Sequence, residues 1–252
     1  AKYLKEAANK GNPKAMYEYA SFLTKSKDKV PHSSQIAAHF YKMAADLGNV
    51  EAMYQYGMIL RNGEGVPIDK KEALKYFKMA TDKEHLDSMF CYAMMLKTGE
   101  GVPADKNEAI KYLKMATDKE HVDSMYNYAK MLKIGDGVQI DVKKAAFYLK
   151  NAAERGHLLS IYEYAKMLDY GHGVKQDKKN AAFFYGLAAD RGHVEAMFDF
   201  ASSLYNGNSG EINKKKAAHY FKMAADKGQG EAMYNYGMML KNGDGIPVDM
   251  LE

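Results

Sequence analysis

Apolar residues recur in this chain with the three-and-four spacing of an amphipathic helix. Met53, Tyr56, Gly57 and Leu60 follow the pattern i, i+3, i+4, i+7, so they share one helical face. The segment Gly-Glu-Gly-Val-Pro at 63–67 comes next, and glycine after the last turn with a nearby proline is typical of a helix end. The pattern therefore predicts a helix before this turn, here named helix A.

A second helix is predicted after the turn. Asp69 is followed three residues later by Glu72, the arrangement of a capping box, in which each side chain accepts a hydrogen bond from a backbone N–H. The positions that follow share one helical face: Ala73, Tyr76, Phe77 and Ala80. The box recurs as Asp105 with Glu108 and Asp249 with Glu252, whereas Asp141 and Asp177 keep only the cap residue. This second helix is named helix B.

The helix pair recurs along the whole chain at a spacing of 36 residues. The position of Met53 is occupied in successive copies by Met16, Met53, Met89, Met125, Ile161, Met197 and Met233. The first interval is one residue longer because of its loop. Such a period indicates stacked helix pairs that bury their apolar faces against their neighbours. We therefore predict an all-α solenoid of about seven helix-turn-helix repeats.

The repeats are expected to form a single domain over residues 1–252. Residues 1–12 would end a preceding repeat and 230–252 would be a partial repeat, so the sequence reads as a segment of a longer protein. The predicted complete repeats are 13–49, 50–85, 86–121, 122–157, 158–193 and 194–229.

Composition narrows the classes of function. The net charge of +4, with 27% charged residues, lacks the concentrated positive charge of nucleic-acid-binding proteins. No apolar run approaches the ~20 residues that span a bilayer, so we expect no membrane insertion. Cys91 is the only cysteine and no Asn-x-Ser/Thr sequon occurs. These features favour a reducing compartment, so we predict a cytoplasmic protein, with the nucleus as the alternative and the ER lumen disfavoured.

Twelve positions of the repeat match the motif of the Sel-one-like repeat family, which is related to the tetratricopeptide repeat: Ala52, Tyr56, Gly57, Leu60, Gly63, Gly65, Val66, Asp69, Ala73, Tyr76, Phe77 and Ala80. The chain resembles this family over essentially its whole length. The resemblance implies a right-handed α/α superhelix whose A helices line the concave face, and a role as an adaptor or scaffold in protein complexes. The cysteine pairs of the family's secreted bacterial branch are missing, which argues against the enzymatic activities of that branch.

The chain departs from the repeat pattern at two kinds of position. Glu84 and Glu120 stand where four other copies have glycine at the end of helix B. Asn206 to Gly210 breaks the Gly-x-Gly-Val turn. The glutamates are expected to adopt the left-handed backbone conformation that favours glycine.

Two motifs with possible chemistry are interpreted as structural. The Gly-x-Gly turns have neither the preceding strand nor the third glycine of a dinucleotide-binding fingerprint. One histidine per repeat is too widely spaced to bind a single metal ion, so these are predicted to be turn residues: His85, His121, His157 and His193. We predict neither a cofactor nor a metal site, and no catalytic residues.

The helix A aromatics fall into two series. The first lies on the apolar stripe and is assigned to the core: Tyr19, Tyr56, Tyr92, Tyr128, Tyr164, Phe200 and Tyr236. The second lies two residues earlier, about 110° from the stripe: Tyr17, Tyr54, Phe90, Tyr126, Tyr162, Phe198 and Tyr234. By analogy with tetratricopeptide repeats this direction is the concave groove, where aromatics serve as interface anchors. The alternative is sideways packing between adjacent A helices, and the two can coexist.

Charge singles out the middle of the groove. Lys130 and Lys166 stand where other copies have methionine, Lys133 belongs to a basic row at the ends of the A helices, and Asp169–Tyr170 interrupts that row. The predicted partner-binding residues are Tyr54, Phe90, Tyr126, Lys130, Lys133, Tyr162, Lys166, Asp169, Tyr170 and Phe198.

The favoured function is a non-enzymatic scaffold that holds a partner peptide or helix in this groove. Two alternatives stay open. One is an RNA-binding helical repeat protein, although its base-reading face would be polar and variable rather than aromatic. The other is a hydrolase like the secreted cysteine-rich relatives, although the sequence offers no assembled nucleophile and base.

Overall fold

The computed structural model describes residues 2–25, 32–208 and 210–248, which form fourteen α-helices and no strand. The helices are α1 (Lys2–Asn9), α2 (Pro13–Lys25), α3 (Ser33–Asp46), α4 (Val50–Asn62), α5 (Lys70–Thr81), α6 (Leu86–Thr98), α7 (Lys106–Asp118), α8 (Val122–Ile134), α9 (Val142–Glu154), α10 (Leu158–Tyr170), α11 (Lys178–Asp190), α12 (Val194–Tyr205), α13 (Lys214–Asp226) and α14 (Gly230–Asn242). Even-numbered helices are A helices and odd-numbered ones are B helices. The predicted all-α solenoid of helix pairs is confirmed.

The chain divides into two compact units, residues 1–124 and 125–252. In the first unit successive helices from α1 to α7 pack against one another, and in the second unit successive helices from α9 to α14 do the same. The boundary between the units falls within α8. The assignment of residues 1–252 to one domain stays a prediction. No helix in the described ranges is long and apolar enough to cross a membrane.

The apolar stripes of the helices form the core of each unit. The methionine position of the repeat is buried in six copies, and only Met233 is half exposed. Five stripe aromatics of the A helices meet an aromatic of helix B edge-on, as in Tyr56 with Tyr76, whose ring centroids are 4.8 Å apart, and Tyr128 meets Tyr148 at a tilt. Such a pair contributes about 0.5–1.5 kcal/mol beyond the burial of its area. The core assignment of this series is confirmed for the six copies that are buried, and Tyr236 is half-buried.

The predicted capping boxes form only one of their two hydrogen bonds. Asp69 Oδ1 accepts from the Glu72 N–H at 2.9 Å, as predicted. The Asp69 N–H, however, donates to the Leu60 carbonyl at 2.9 Å rather than to the Glu72 carboxylate. Asp105 repeats this arrangement, with its N–H on the Leu96 carbonyl. The prediction of a reciprocal box was wrong because helix A supplies the acceptor; the pair at 249 and 252 lies outside the described residues.

The turns place glycines where a side chain would not fit. A Cβ at Gly65 would lie 2.7 Å from the Ser34 carbonyl oxygen, and one at Gly173 would lie 2.4 Å from the Val142 carbonyl oxygen. The second glycine of the Gly-x-Gly turn thus allows the backbone to lie directly on the start of helix B in the preceding repeat. Glu84 and Glu120 both have a φ of 63°, which confirms the predicted left-handed conformation.

Candidate partner-binding surface on the A helices

The second aromatic series packs between successive repeats while remaining partly exposed. Four of the rings lie against the histidine that precedes the next A helix, and six of the seven side chains are half-buried, whereas Tyr234 is exposed. The centroid distances are 5.1 Å for Tyr54–His85, 5.6 Å for Phe90–His121, 4.8 Å for Tyr126–His157 and 4.3 Å for Tyr162–His193. Phe198 lies 5.7 Å from Phe221 of its own repeat. These aromatics therefore pack sideways and also present surface to solvent.

The histidines cap the A helices, a role that the sequence analysis missed. His157 Nδ1 accepts from the Ser160 N–H at 3.2 Å and lies 2.8 Å from the Ser160 hydroxyl. In the first repeats Asn49 has the same position and accepts from the Ala52 N–H at 2.8 Å. The recurrence of Asn, His and Gln at one position was the available signal, since each carries an acceptor. Among the described residues no group of three or more His, Cys, Asp or Glu is placed to hold a metal ion.

Two lysines lie over the groove aromatics at equivalent positions of neighbouring repeats. The Lys130 Nζ is 5.3 Å from the centroid of the Tyr126 ring, and the Lys166 Nζ is 5.1 Å from that of Tyr162. Ammonium groups at this distance are attracted to the ring face. Each of these two repeats thus presents an aromatic ring and a positive charge side by side.

Lys133 forms an ion pair within the groove. Its Nζ lies 2.9 Å from Glu163 Oε2 on the next A helix, and the Lys166 Nζ lies 3.4 Å from Glu163 Oε1. Burial disfavours the charged carboxylate, but the two ammonium groups outweigh it and lower the pKa of Glu163. Lys133 is therefore less available to a partner than its place in the basic row indicated.

Asp199 occupies the position of Glu163 one repeat later and behaves in the opposite way. Burial raises the pKa of Asp199 to about 6, although the Tyr162 hydroxyl donates to its Oδ2 at 3.0 Å. Lys166 favours its ionised form, whereas Asp169 and Glu195 oppose it. Asp199 was not among the predicted site residues because nothing in the sequence of its own repeat distinguishes it.

Asp169 and Tyr170 belong to the same neighbourhood of the second unit. The Tyr185 hydroxyl lies 3.5 Å from Asp169 Oδ2, and the side chain of Tyr170 is 63% exposed, with its ring 5.8 Å from that of His172. Tyr54 and Phe90 belong to the first unit, and the other predicted residues belong to the second. Contacts link the second-unit residues from Lys133 through Glu163 and Lys166 to Tyr162 and Asp199.

Cys91 belongs to the first unit, in α6. Its side chain is buried, and desolvation raises the pKa of the thiol to about 11. A thiol with this pKa contains little of the nucleophilic thiolate at neutral pH.

Comparison with solved structures finds chains with the same fold. One is a protective antigen present in uropathogenic Escherichia coli strains, with an SLR fold, a TM-score of 0.94 and 26% sequence identity; the match covers 99% of this chain and 53% of the antigen. This chain thus spans about half the length of that antigen. A Sel1 repeat protein from Oxalobacter formigenes has a TM-score of 0.79 and 27% identity, with 93% of this chain and 94% of that chain covered.

A more distant similarity shows the fold alone. An immunity protein from Pseudomonas aeruginosa has a TM-score of 0.54 and 20% identity, with 93% of this chain and 88% of that chain covered. No curated protein matches the sequence.

The family comparison agrees with the repeat pattern. The model of the Sel1 repeat matches residues 13–49, 50–85, 86–121, 122–157, 158–193, 194–229 and 230–252. The resemblance to Sel-one-like repeats is thereby confirmed over nearly the whole chain. The protein belongs to the Sel1 repeat family.

Proposed function

We propose that this protein is a non-catalytic scaffold that binds a partner peptide or helix on the surface of its A helices. Sel1 repeat proteins commonly serve as protein-interaction scaffolds and are generally not enzymes. The proposal places the contact in the second unit, at Tyr126, Lys130, Tyr162, Lys166 and Tyr170. Phe198 of the same unit, and Tyr54 and Phe90 of the first, extend the proposed series.

The observation that carries the proposal is the repeated pair of an aromatic ring and an ammonium group. Tyr126 with Lys130 and Tyr162 with Lys166 present this pair at the same position of two neighbouring repeats. Partly exposed tyrosines are frequent anchors of protein interfaces, because they bury a large area at little cost in side-chain entropy. The rings are already held by the capping histidines, so less ordering is needed on binding.

The charges of this surface favour a polypeptide over RNA. Glu163, Asp169 and Asp199 are interspersed with Lys130 and Lys166, so the surface offers both signs within one neighbourhood. A phosphate backbone would be repelled by these carboxylates, whereas a peptide can carry side chains of both signs. The second unit therefore supports a protein partner as the first candidate.

Affinity capture from the cells that make the protein tests the proposal. Lys130→Glu with Lys166→Glu reverses both groove ammonium groups, and Lys143→Glu with Lys215→Glu makes the same charge change at exposed positions on helices B. We expect a captured partner, resistant to ribonuclease, that is lost from the groove variant and retained by the control. Retention by both variants, or loss of the partner on ribonuclease treatment, would reject it.

A further inference from the structure

An open pocket of about 650 Å³ lies in the second unit, and its described lining residues include none of the groove aromatics. Its wall is formed by the starts of α11 and α13, by α12, and by the segment that leads into α13. The residues that define its chemistry are Lys179, Phe183, Phe200, Leu204, Ile212 and Lys216. Phe183 is 59% exposed and Ile212 is 64% exposed, although both are large apolar side chains.

The pocket occurs where this repeat lacks an aliphatic side chain that five other described turns have. The Gly-x-Gly-Val turn places a half-buried valine at Val66, Val102, Val138 and Val174, and Ile246 takes this position in the last copy. Gly210 stands at the equivalent position of the repeat 194–229. Gly210 lines the pocket without a side chain, and beyond its chain neighbours no described atom lies within 4 Å of the place where its Cβ would be.

The surroundings of the pocket are basic. Helix α11 begins with Lys178 and Lys179, and α13 begins with three lysines, of which Lys214 is ion-paired with Asp244. Within the described ranges no ion pair is found for Lys179 or Lys216, and Lys216 instead lies over the Phe200 ring at 5.2 Å.

The acids at this end of the helices are fewer. Asp177 caps α11 through the Asn180 N–H, and Glu211 lies at the rim of the pocket. The N-termini of α11 and α13 carry the positive end of the helix dipole, which adds to the charge of the lysines.

We propose that this pocket is a second binding site, separate from the groove, which takes one aliphatic or aromatic side chain of a partner segment that carries Asp or Glu on both sides of it. The apolar side chain would lie beside Gly210, against Phe183, Leu204 and Ile212. The flanking carboxylates would pair with Lys179 and Lys216, which supply the complementary charge. An apolar anchor in a pocket with a charged rim is the usual composition of an interface hot spot.

The chain contains a matched control for Phe183. Phe147 has the equivalent position one repeat earlier and is also 59% exposed. The Gly-x-Gly turn of the next repeat contains Val174, so the aliphatic side chain is present there. Because both phenylalanines are exposed, Phe183→Ser and Phe147→Ser are expected to fold equally well, which thermal melts would verify.

Fluorescence anisotropy with a labelled peptide Gly-Glu-Asp-Phe-Asp-Glu-Gly tests the site. We expect saturable binding in the millimolar range or tighter, a loss of about tenfold or more in Phe183→Ser and in Lys179→Glu, and no change in Phe147→Ser. A peptide with Lys in place of the four acids, and one with Ser in place of Phe, should both fail to bind. Absence of saturable binding, an equal loss in Phe147→Ser, or equal binding of either altered peptide would overturn the proposal.

Discussion

The ring of Tyr162 stacks on the imidazole of His193, with 4.3 Å between the two centroids. Tyr162 lies on α10, and His193 caps α12 through the Ala196 N–H. One contact thus joins a proposed binding residue to the start of the next A helix. The groove aromatics are therefore part of the packing between repeats as well as candidates for partner contact, and both roles affect what their removal should do.

Truncation of the two aromatic series should separate core from groove by magnitude. Tyr164→Ala removes a buried ring and is expected to lower the free energy of unfolding by about 3–5 kcal/mol. Tyr162→Ala removes a half-buried ring together with its hydrogen bond to Asp199, so we expect a smaller loss of about 1–2 kcal/mol. Chemical denaturation measures both, and Tyr128→Ala with Tyr126→Ala repeats the comparison in the preceding repeat. Equal losses within a pair would show that the groove series is core packing alone.

Removal of the side chain at a left-handed position should stabilise the protein. Glu84 has a φ of 63°, a conformation that disfavours any residue with a Cβ. Its exposed ion pair with Lys119 contributes little, so Glu84→Gly should raise the free energy of unfolding by roughly 0.5–1 kcal/mol.

Gly192 provides the reverse experiment at the same repeat position. It has a φ of 91°, and a Cβ there would meet nothing within 4 Å. Gly192→Ala should therefore destabilise through backbone strain alone, by roughly 1 kcal/mol. A loss of stability in both Glu84→Gly and Gly192→Ala would show that strain at this position is not relieved by glycine.

Asp199 and Glu163 should respond to pH with opposite signs. The pKa of Asp199 rises from 3.8 to about 6 on folding, so the folded chain binds this proton more tightly than the unfolded chain. Asp199 therefore costs stability as the pH rises from about 4 to about 6, by up to about 3 kcal/mol. Asp199→Asn should gain stability relative to the parent over this interval and keep that gain at neutral pH.

Glu163→Gln is the matched control. The pKa of Glu163 is lowered from 4.5 on folding, so its contribution is present above pH 4.5 and is lost as the pH falls through the folded-state pKa. This variant should be less stable than the parent at neutral pH, and the difference should shrink in acid. Denaturation curves at several pH values measure the free energy of unfolding of both variants and of the parent. Parallel pH profiles for the two variants would contradict the assigned environments.

The repeat period was sufficient to predict the helices, because each 36-residue copy carries the same apolar stripe. The helix starts were harder to predict. Histidine is not among the preferred capping residues, yet His157 accepts the hydrogen bond that Asn49 accepts in another repeat. The hydrogen bond of the Asp69 N–H was also predicted wrongly, because its acceptor is the Leu60 carbonyl across the turn and not the Glu72 carboxylate.

The chemistry of the groove depended on neighbours from adjacent repeats. Glu163 and Asp199 have equivalent positions and similar side chains, but only Glu163 is reached by Lys133 of the preceding A helix. This difference cannot be predicted from the sequence of a single repeat, because Lys133 lies in the repeat before that of Glu163. The lysine substitutions were visible in the sequence, whereas their positions over Tyr126 and Tyr162 required the structure.

Site-specific photo-crosslinking tests the proposed scaffold function most directly. The photoreactive residue p-benzoylphenylalanine would replace Lys130 in the groove or, as a control, the exposed Phe147 on α9, and the protein would be irradiated in the cells that make it. We expect a partner polypeptide to crosslink at position 130 and not at position 147. Crosslinking at 147 alone, or at neither position while a partner is still captured, would contradict binding at the A-helix surface.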